Sequence, residues 1–545
     1  MAGSADWKLH VKEVPTIDLD AVKNLEGGAK SLNNFLHVVD WLKDDRRYDG
    51  VCRRTARGAP TTSMPAEWIA QLLRHGVIDE IQRNGVRGWV NMFAVPEPAK
   101  KRFRPIKHTR DANIALGKDT LMKLRFPTKQ EICRLVHKGS HFIALDFAAY
   151  YDQFKYTPEV GARFCFRHGG RYFRLSNLAM GQRQAVEVAQ CTTERFLDFN
   201  PSSTTASIID NVIFVGSREE VIRDATTFIS RVLACGGKLN EDVTDVEALV
   251  KTVGDWGGIT IDFTEKTACL AQKTVDKTGY SWMNRRSWTW RQFAAHIGLL
   301  FWSWQLIHVP MAEYFPLLRF ISAASSWLTA NEALWDTPAH IWESAWPALE
   351  QWTLLVVRNR PMTVATLQEP EWLVATDASF WGWGYYAVHN VTGAVRTFGA
   401  GWSAGFRRLY ADRLQHSTFT EPQAIINALC HLLDPTSPSR VRVLTDNTVA
   451  RASFHQGYNA RSYHINECLR RLHTIFGAEF IFDFAYLPGE FNPADAFSRG
   501  SLIAMGEVER DQRVSAELRR IAGSAECPRE LGLAARASQL ANTSR

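Results

Sequence analysis

Two aspartates in apolar segments of the chain could together hold a metal ion. Asp146 is the only charged residue in the apolar run from Phe142 to Phe147, a length typical of a strand buried on both faces. A buried acid is costly unless something pairs with it, and a metal ion held by a second acid would do so. Asp210 lies in a similar segment, SIIDNVIFVG. Two strands could therefore hold Mg²⁺ between these aspartates.

Each aspartate also has a purely structural interpretation. Asp210 and Asn211 form a dipeptide that suits a two-residue hairpin turn. Asp146 could equally be an acid at a strand end that faces solvent. The surrounding sequence favours the metal site over both alternatives.

Four further acids, near the C-terminal end of the chain, form a second candidate metal site. We expect Asp377 and Asp446 on strands, and Glu421 and Asp495 in the first turns of helices. Acids are common helix caps, so each one alone has a structural interpretation. Together, at successive junctions of one small domain, they suit two Mg²⁺ ions. One ion would activate water and the other would stabilise the leaving oxygen of a phosphodiester.

Length and composition indicate an intracellular protein of several domains. The chain has 545 residues, with 64 Lys and Arg against 57 Asp and Glu, a balance that permits nucleic-acid binding without requiring it. Nine scattered cysteines without a CxxC pair favour a reducing compartment and argue against zinc or a disulfide framework. No secretory signal is visible, so we expect the protein in the cytoplasm, the nucleus or both.

The most apolar window, from Phe293 to Met311, contains His296, Gln305 and His308. It is better interpreted as a buried helix than as a membrane span, so no membrane partner is expected.

Local patterns around the first aspartate pair predict an α+β domain with helices on one face of a sheet. A helix is expected to follow Pro65, in AEWIAQLLRHGVIDEI, and Gly181 is expected to open another. Ser217 and Glu220 form a capping box that begins a third helix. A strand pair carries a basic cluster that could grip phosphates or could be a solvated hairpin: Lys100, Lys101, Arg102, Arg104, Lys107 and Arg110.

The C-terminal half has two parts with different patterns. Residues 281–359 are helical and rich in tryptophan, which favours core packing over a subdomain that holds a nucleic-acid duplex. A new α/β pattern begins at Glu371 with a meander, a helix and two further strands.

The motifs of the last part resemble those of the RNase H domain of retroelements. The segments are TDAS, TEPQA, LTDN and LPGEFNPADAFSR, in that order. The resemblance implies that they supply the metal ligands Asp377, Glu421, Asp446 and Asp495.

Upstream, the chain resembles a reverse transcriptase. In this resemblance RFRPIKHTRDAN is a fingers motif whose Arg104 binds the triphosphate, and LDFAAYYDQF is the first palm motif. The second motif supplies the ligand Asp146, and its Tyr151 screens the sugar 2′-OH. The residues Met180, Gly181 and Gln182 of NLAMGQ lie under the template–nucleotide pair, and IIDN supplies Asp210 and Asn211 to the catalytic centre. WGGITIDF resembles a primer grip and RQFAAHIGLL the start of a thumb.

The closest resemblance is to DIRS-like, tyrosine-recombinase retroelements or the VIPER type. It implies a right-hand polymerase of fingers, palm and thumb, followed by an α/β RNase H domain. The expected partners are an RNA template, a DNA primer, an RNA–DNA hybrid and dNTPs, with two Mg²⁺ ions in each active site or Mn²⁺ in their place. The expected boundaries are an N-terminal extension at 1–60, fingers and palm at 61–280, thumb or connection at 281–366, RNase H at 367–500 and a helical tail at 501–545.

The chain departs from the family pattern at several positions. Asn211 stands where the second metal motif usually has a second Asp, and His108 where the fingers motif usually has Asp. The lysine expected after the LN of GGKLN is absent, and Lys238 is the nearest candidate. Because of Asn211, a second function remains an alternative. In it the chain is a domesticated nucleic-acid scaffold with an impaired polymerase site, either with or without RNase H activity.

Overall fold

A computed structural model describes the fold of the chain. It describes residues 7–49, 59–97, 100–117, 122–124, 126–127, 135–136, 138–306, 311–363, 370–459, 461–477, 480–500, 505, 508 and 512–523. The chain divides into two compact units, one ending at Ala271 and the other beginning at Gln272, with Thr363 belonging to the first. The corresponding boundary predicted from the sequence is residue 280.

Small sheets form the framework of the first unit. Three of them have the strand orders β1-β4-β3, β2-β7-β6 and β5-β9-β8, and β10-β11-β12 is an antiparallel meander. The strands are β1 (Lys8–Leu9), β2 (Ile78–Ile81), β3 (Asn91–Glu97), β4 (Arg102–His108), β5 (His141–Asp146), β6 (Cys165–His168), β7 (Arg171–Leu175), β8 (Thr204–Ile208), β9 (Asn211–Gly216), β10 (Val253–Trp256), β11 (Ile259–Asp262) and β12 (Thr267–Leu270).

The β5 strand is buried on both faces, as the sequence predicts. Its neighbouring residues Phe142 and Ile143 point to opposite faces and are both fully buried. β5 pairs antiparallel with β9 over its whole length, which places Asp146 directly opposite Asn211. Because β5 is apolar and buried, its last residue, Asp146, lies at the end of a buried strand.

The helices of the first unit confirm some predicted boundaries and correct others. The capping box of Ser217 and Glu220 is present. The helix after Pro65 ends at Arg74 rather than continuing, because Ile78–Ile81 pairs with β7 instead. The helix predicted to open at Gly181 begins at Ala185, after a turn. The helices are Leu19–Lys23, Ala29–Lys43, Ala66–Arg74, Arg110–Leu116, Pro158–Gly161, Ala185–Leu197 and Arg218–Ala234.

The N-terminal segment is part of the core of the first unit. Val38 and Leu42 of the Ala29–Lys43 helix are fully buried, and this helix packs on the Ala185–Leu197 helix. The backbone N–H of Gly28 donates to a carboxylate oxygen of Asp198 at 2.6 Å. Residues 7–49 therefore contribute to the hydrophobic core that supports β5.

Four helices open the second unit: Gln272–Met283, Trp290–Ser303, Phe315–Ala330 and Trp346–Arg358. His296 is fully buried, with its Nε2 atom 3.0 Å from the Thr353 hydroxyl and its ring against Trp282 and Trp288. The prediction of a buried helix at Phe293 is thus confirmed for the described part of that window. Within the described residues, no helix has the length and apolarity needed to span a membrane.

A five-stranded mixed sheet completes the second unit, in the order β16-β15-β14-β17-β18. β14, β15 and β16 are antiparallel, whereas β17 and β18 run parallel to β14. The strands of this sheet are β14 (Trp372–Ala378), β15 (Gly382–His389), β16 (Val395–Gly401), β17 (Arg440–Thr445) and β18 (Ile481–Tyr486), and the short strand β13 (Met362–Thr363) lies outside it.

Helices accompany this sheet, and the α+β fold class expected from the sequence is confirmed. Ile425 and Leu429 of the longest one pack against Val374 and Val443 on one face of the sheet. In the predicted tail, Gln512–Gly523 is helical, and most of the remaining tail lies outside the described residues. The helices are Ala404–Tyr410, Ser417–Leu432, Thr448–Gln456, Tyr463–Phe476, Asp495–Ser498 and Gln512–Gly523.

Candidate active sites

The hairpin between β8 and β9 presents Asp210 beside β5. Ile208 and Asn211 face each other across the hairpin, so its two-residue loop is Ile209 and Asp210. The turn interpretation, which places Asp210 and Asn211 in the loop, is wrong by one residue. Asn211 instead begins β9, opposite Asp146.

The conformation of Ile209 is strained. Its φ of +59° lies in the left-handed region, which a β-branched residue seldom adopts and which costs about 1–3 kcal/mol. The Gln190 side chain accepts from the Ile209 N–H at 2.7 Å, and the Thr193 hydroxyl donates to the Ile209 carbonyl at 2.7 Å. The Ala185–Leu197 helix therefore holds both backbone groups of the loop and fixes the position of Asp210.

Asp146 has one satisfied and one unsatisfied carboxylate oxygen. Its Oδ2 atom accepts from the Asn240 amide at 2.8 Å, whereas Oδ1 is buried without a hydrogen-bond partner. Burial, followed by the charge of Asp210, raises the pKa of Asp146 to about 6. The Glu241 carboxylate accepts from the Asp146 backbone N–H at 3.0 Å. A buried carboxylate oxygen without a partner, beside a second acid, is suited to a cation.

Asn211 contacts the second aspartate directly. Its side-chain amide donates to Asp210 Oδ1 at 3.2 Å. Burial raises the pKa of Asp210, and this hydrogen bond acts in the opposite direction. The structure thus brings Asp146, Asp210 and Asn211 together, with two carboxylates and one amide at the end of a buried sheet.

A cleft of about 840 Å³ opens beside Asp146, and its lining includes seven Lys and Arg side chains and two histidines. Arg104 lies on β4 with its side chain 42% exposed and its Nε atom 3.4 Å from Glu97. Lys107 is buried and bonds Asp152 at 2.6 Å. The basic lining residues are Lys12, Lys100, Arg102, Arg104, Lys107, Arg110 and Arg183, with His10 and His108. Such a lining suits a polyanion, and of the predicted basic cluster only Lys101 is absent from it.

Three of the four remaining nucleotide-site residues also line this cleft: Tyr151, Met180 and Gly181. Burial, followed by the charge of Asp210, raises the pKa of the Tyr151 phenol to about 12, so the ring presents a neutral hydroxyl. A Cβ atom on Gly181 would lie 3.3 Å from the Lys107 carbonyl, so a side chain there would crowd the wall of the cleft.

Gln182 lies in the core and does not contribute to the lining. Its Oε1 atom accepts from the Tyr156 hydroxyl, and its Nε2 donates to the Tyr48 hydroxyl at 2.7 Å. The side chain is 2% exposed. Its contacts are therefore those of a residue that positions the neighbouring Met180 and Gly181.

The second unit brings three of its predicted metal ligands together. Carboxylate oxygens of Asp377, Glu421 and Asp446 all lie within 4.8 Å of one another. Burial, together with the charges of the neighbouring acids, raises the pKa of Glu421 to about 9 and that of Asp377 to about 6. Glu421 Oε2 is buried without a hydrogen-bond partner, and the Ser498 hydroxyl donates to Asp377. Three converging carboxylates, two buried and one half-buried, with an unsatisfied oxygen among them, are ligands of the kind that Mg²⁺ prefers.

Two of these acids lie elsewhere on their elements than the sequence predicts. The Glu421 helix begins at Ser417, which places Glu421 in the second turn and not the first. Asp446 follows β17 by one residue. The order of the acids along the chain and its elements is as predicted. Glu421 lies further inside the unit than a first-turn residue would, and it is 3% exposed.

Asp495 is close to the cluster without belonging to it. It begins a short helix, as predicted, and its charge raises the pKa of Asp377 and Asp446. Both of its carboxylate oxygens accept from Arg499 Nε, at 2.8 and 2.9 Å. Arg499 therefore pairs with the carboxylate that, from the sequence, we expect to bind a metal ion.

Several residues of these sites are missed by the sequence analysis. Asn240 is the last residue of GGKLN and Glu241 follows it; Asn240 bonds the side chain of Asp146, and Glu241 bonds its backbone N–H. Lys12 contacts Asn240 across 228 residues of chain, so no local pattern could have found it. Gly489 leaves room for Asp446: a Cβ atom there would lie 2.9 Å from Asp446 Oδ2.

No protein-family model and no curated protein matches the chain. Among solved structures, it is similar to a foamy viral protease-reverse transcriptase dRH in complex with double-stranded DNA, with 13% identity, 88% of this chain and 83% of that chain covered, and a TM-score of 0.43. A foamy viral protease-reverse transcriptase with double-stranded DNA gives 12% identity, 88% and 99% coverage, and a TM-score of 0.41. Another, with an RNA/DNA hybrid, gives 12% identity, 87% and 64% coverage, and a TM-score of 0.41.

Proposed function

We propose that the chain is an RNA-directed DNA polymerase with ribonuclease H activity. It would copy the RNA of a DIRS-like or VIPER-type retroelement into DNA and degrade the RNA of the resulting hybrid. The observation that carries the proposal is that each of the two units has its own group of buried or half-buried carboxylates with raised pKa values, one of which has a buried oxygen without a hydrogen-bond partner.

In the first unit, Asp146 and Asp210 would hold the metal ions of the polymerase site, with Asn211 as a neutral neighbour. Mg²⁺, when bound, supplies a Lewis acid and offsets the charge of the triphosphate. Arg104 would bind that triphosphate, and the Tyr151 ring would exclude a ribose 2′-OH. Met180 and Gly181 would face the template–nucleotide pair, since both line the same cleft.

In the second unit, Asp377, Glu421 and Asp446 would hold the metal ions of the ribonuclease site. We include Asp495 as a further metal ligand. Its carboxylate would become available when Arg499 leaves it to bind a phosphate of the substrate. The fingers and palm would span residues 61–280, the thumb or connection 281–366 and the RNase H domain 367–500. We place the protein in the cytoplasm, the nucleus or both, because nine scattered cysteines without a CxxC pair suit a reducing compartment.

Two assays on the full chain test the proposal. The first extends a DNA primer on an RNA template with Mg²⁺ and then with Mn²⁺, and the second follows cleavage of RNA in an RNA–DNA hybrid. We expect both activities with at least one metal. Absence of primer extension with both metals would disprove the proposed polymerase activity. Absence of hybrid cleavage would disprove the proposed ribonuclease activity.

A nucleic-acid-binding scaffold is the alternative, and the neutral side chain of Asn211 favours it. With one carboxylate fewer, the first site holds a cation less tightly than a site with three acids. The scaffold would bind a primer–template and extend no primer. Tight binding without extension, even in the Asn211→Asp variant, would establish it.

A further inference from the structure

The N-terminal segment crosses the cleft of the first unit between two anchors. On one side, β1 pairs with β4 through Leu9 and Phe103, and the His10 N–H donates to the Phe103 carbonyl at 2.7 Å. On the other side, the Ile17 N–H donates to the Gln153 carbonyl at 2.9 Å. The residues between these anchors, including Lys12, are therefore held at the cleft.

Lys12 reaches the catalytic aspartate through a single residue. Its ammonium donates to Asn240 Oδ1 at 3.0 Å, and the Asn240 amide donates to Asp146 Oδ2 at 2.8 Å. The side chain of Lys12 lines the same cleft as Arg104, Tyr151 and Asp146. The N-terminal segment thus adds a cation to a site otherwise built from residues far along the chain.

The contacts of Lys12 leave its charge available to a ligand. It is exposed and bonds an amide oxygen, and among the described residues it forms no ion pair. An ammonium has three donors, so two remain after the bond to Asn240. Lys107, by contrast, is buried and paired with Asp152. Lys12 therefore has the charge, the access and the fixed position that binding of an anion requires.

We propose that Lys12 binds the triphosphate of the incoming deoxynucleotide. The inference rests on the proposed polymerase function and adds to it a residue from outside the predicted fingers and palm. The ammonium would contact the phosphates that face the N-terminal segment while Asn240 keeps it beside Asp146. A charge-assisted bond to the terminal phosphates is available to a triphosphate and not to a monophosphate, which lacks them.

The test measures binding of dTTP and of dTMP to the full chain in complex with a dideoxy-terminated primer on an RNA template. We expect Lys12→Ala to weaken dTTP binding on the order of 10-fold, the loss typical of a hydrogen bond to a charged group. Binding of dTMP should be unchanged, and Lys12→Arg should restore most of the affinity for dTTP. Lys8→Ala is the matched control, since Lys8 is exposed on the same segment and does not line the cleft.

The inference is overturned if Lys12→Ala binds dTTP as the wild type does, or if dTMP binding falls equally, which would indicate a structural role. Tighter dTTP binding by Lys12→Ala, or no dTTP binding by the wild type, would overturn it as well. Extension of an ordinary primer by the wild type tests the polymerase function separately. If the wild type extends a primer and Lys12→Ala binds dTTP unchanged, the role of Lys12 is rejected and the polymerase function stands.

Discussion

The side-chain amide of Asn211 donates a hydrogen bond to Asp210 Oδ1 at 3.2 Å. Asn211 itself lies directly opposite Asp146 on the neighbouring strand. An amide at this place gives Asp210 a donor, whereas a carboxylate would give it a second negative charge. The charge of the metal site thus depends on one side chain at the start of β9.

We expect Asn211→Asp to lower the Mg²⁺ concentration needed for half-maximal primer extension by about 3- to 10-fold, because an added carboxylate strengthens a site for a hard cation. A titration of extension rate against Mg²⁺ measures the effect. Asp210→Asn should abolish extension. An unchanged Mg²⁺ requirement in Asn211→Asp would mean that residue 211 serves only the hairpin.

Tyr151→Ala should admit ribonucleotides. The ring lines the cleft beside Asp146, and in the proposed function it excludes a ribose 2′-hydroxyl there. We expect the preference for dNTPs over NTPs to fall on the order of 10- to 100-fold, with dNTP incorporation retained. Single-nucleotide incorporation with each substrate measures it. Unaltered selectivity would place the sugar elsewhere in the cleft.

Asp377→Asn or Glu421→Gln should reduce cleavage of hybrid RNA by about 100-fold or more while primer extension persists, because in the proposed function each centre would hold its own metal ions. Asp483→Asn is the control, since this acid of the same sheet pairs with Arg442 at 2.7 Å and is not in the cluster. Loss of both activities in a folded variant would contradict two independent centres.

Gly489→Ala should weaken hybrid cleavage by about 10-fold through displacement of a carboxylate that must be placed within a fraction of an ångström. The added Cβ would lie 2.9 Å from Asp446 Oδ2. Gly405→Ala is the matched control, because nothing lies within 4 Å of a Cβ there. Equal cleavage by both variants would show that Asp446 tolerates the shift.

The pH dependence of stability without metal should identify the carboxylate cluster. In the fold, the pKa of Asp377 rises from 3.8 to about 6 and that of Glu421 from 4.5 to about 9. The folded protein therefore holds these protons more tightly than the unfolded chain. The stability that the protonated acids contribute is present below their ordinary pKa values and is lost as pH rises through the raised ones.

In EDTA, the free energy of unfolding of the wild type should accordingly decline between about pH 5 and pH 9. Glu421→Gln, which mimics the protonated acid, should decline less steeply. Mg²⁺ should restore stability at the alkaline end, where both acids are ionised. Parallel curves for the wild type and the variant would mean that Glu421 does not titrate in this range.

Local patterns predicted the parts of the fold that depend on neighbouring residues. The capping box of Ser217 and Glu220 needs only a hydroxyl and a carboxyl three residues apart, and it is present. The burial of β5 likewise follows from its unbroken apolar run. The order of the acids in the second unit follows from the order of its elements.

Features set by distant residues could not be predicted in this way. The preference of Asp and Asn for turns made a loop at Asp210 and Asn211 the structural alternative to the metal site, yet Gln190 and Thr193 hold Ile209 in the loop with Asp210. The contact of Lys12 with Asn240 joins residues 228 positions apart. Such contacts exist only once the chain has folded.

The packing of the Ala29–Lys43 helix on the Ala185–Leu197 helix also affects how the chain folds during synthesis. At about 5–20 residues per second, the first helix waits roughly 8–30 s for its partner. Throughout that time Val38 and Leu42, fully buried in the folded protein, lack the helix that packs on their own helix. We therefore expect the first unit to complete its core only after translation has passed Leu197.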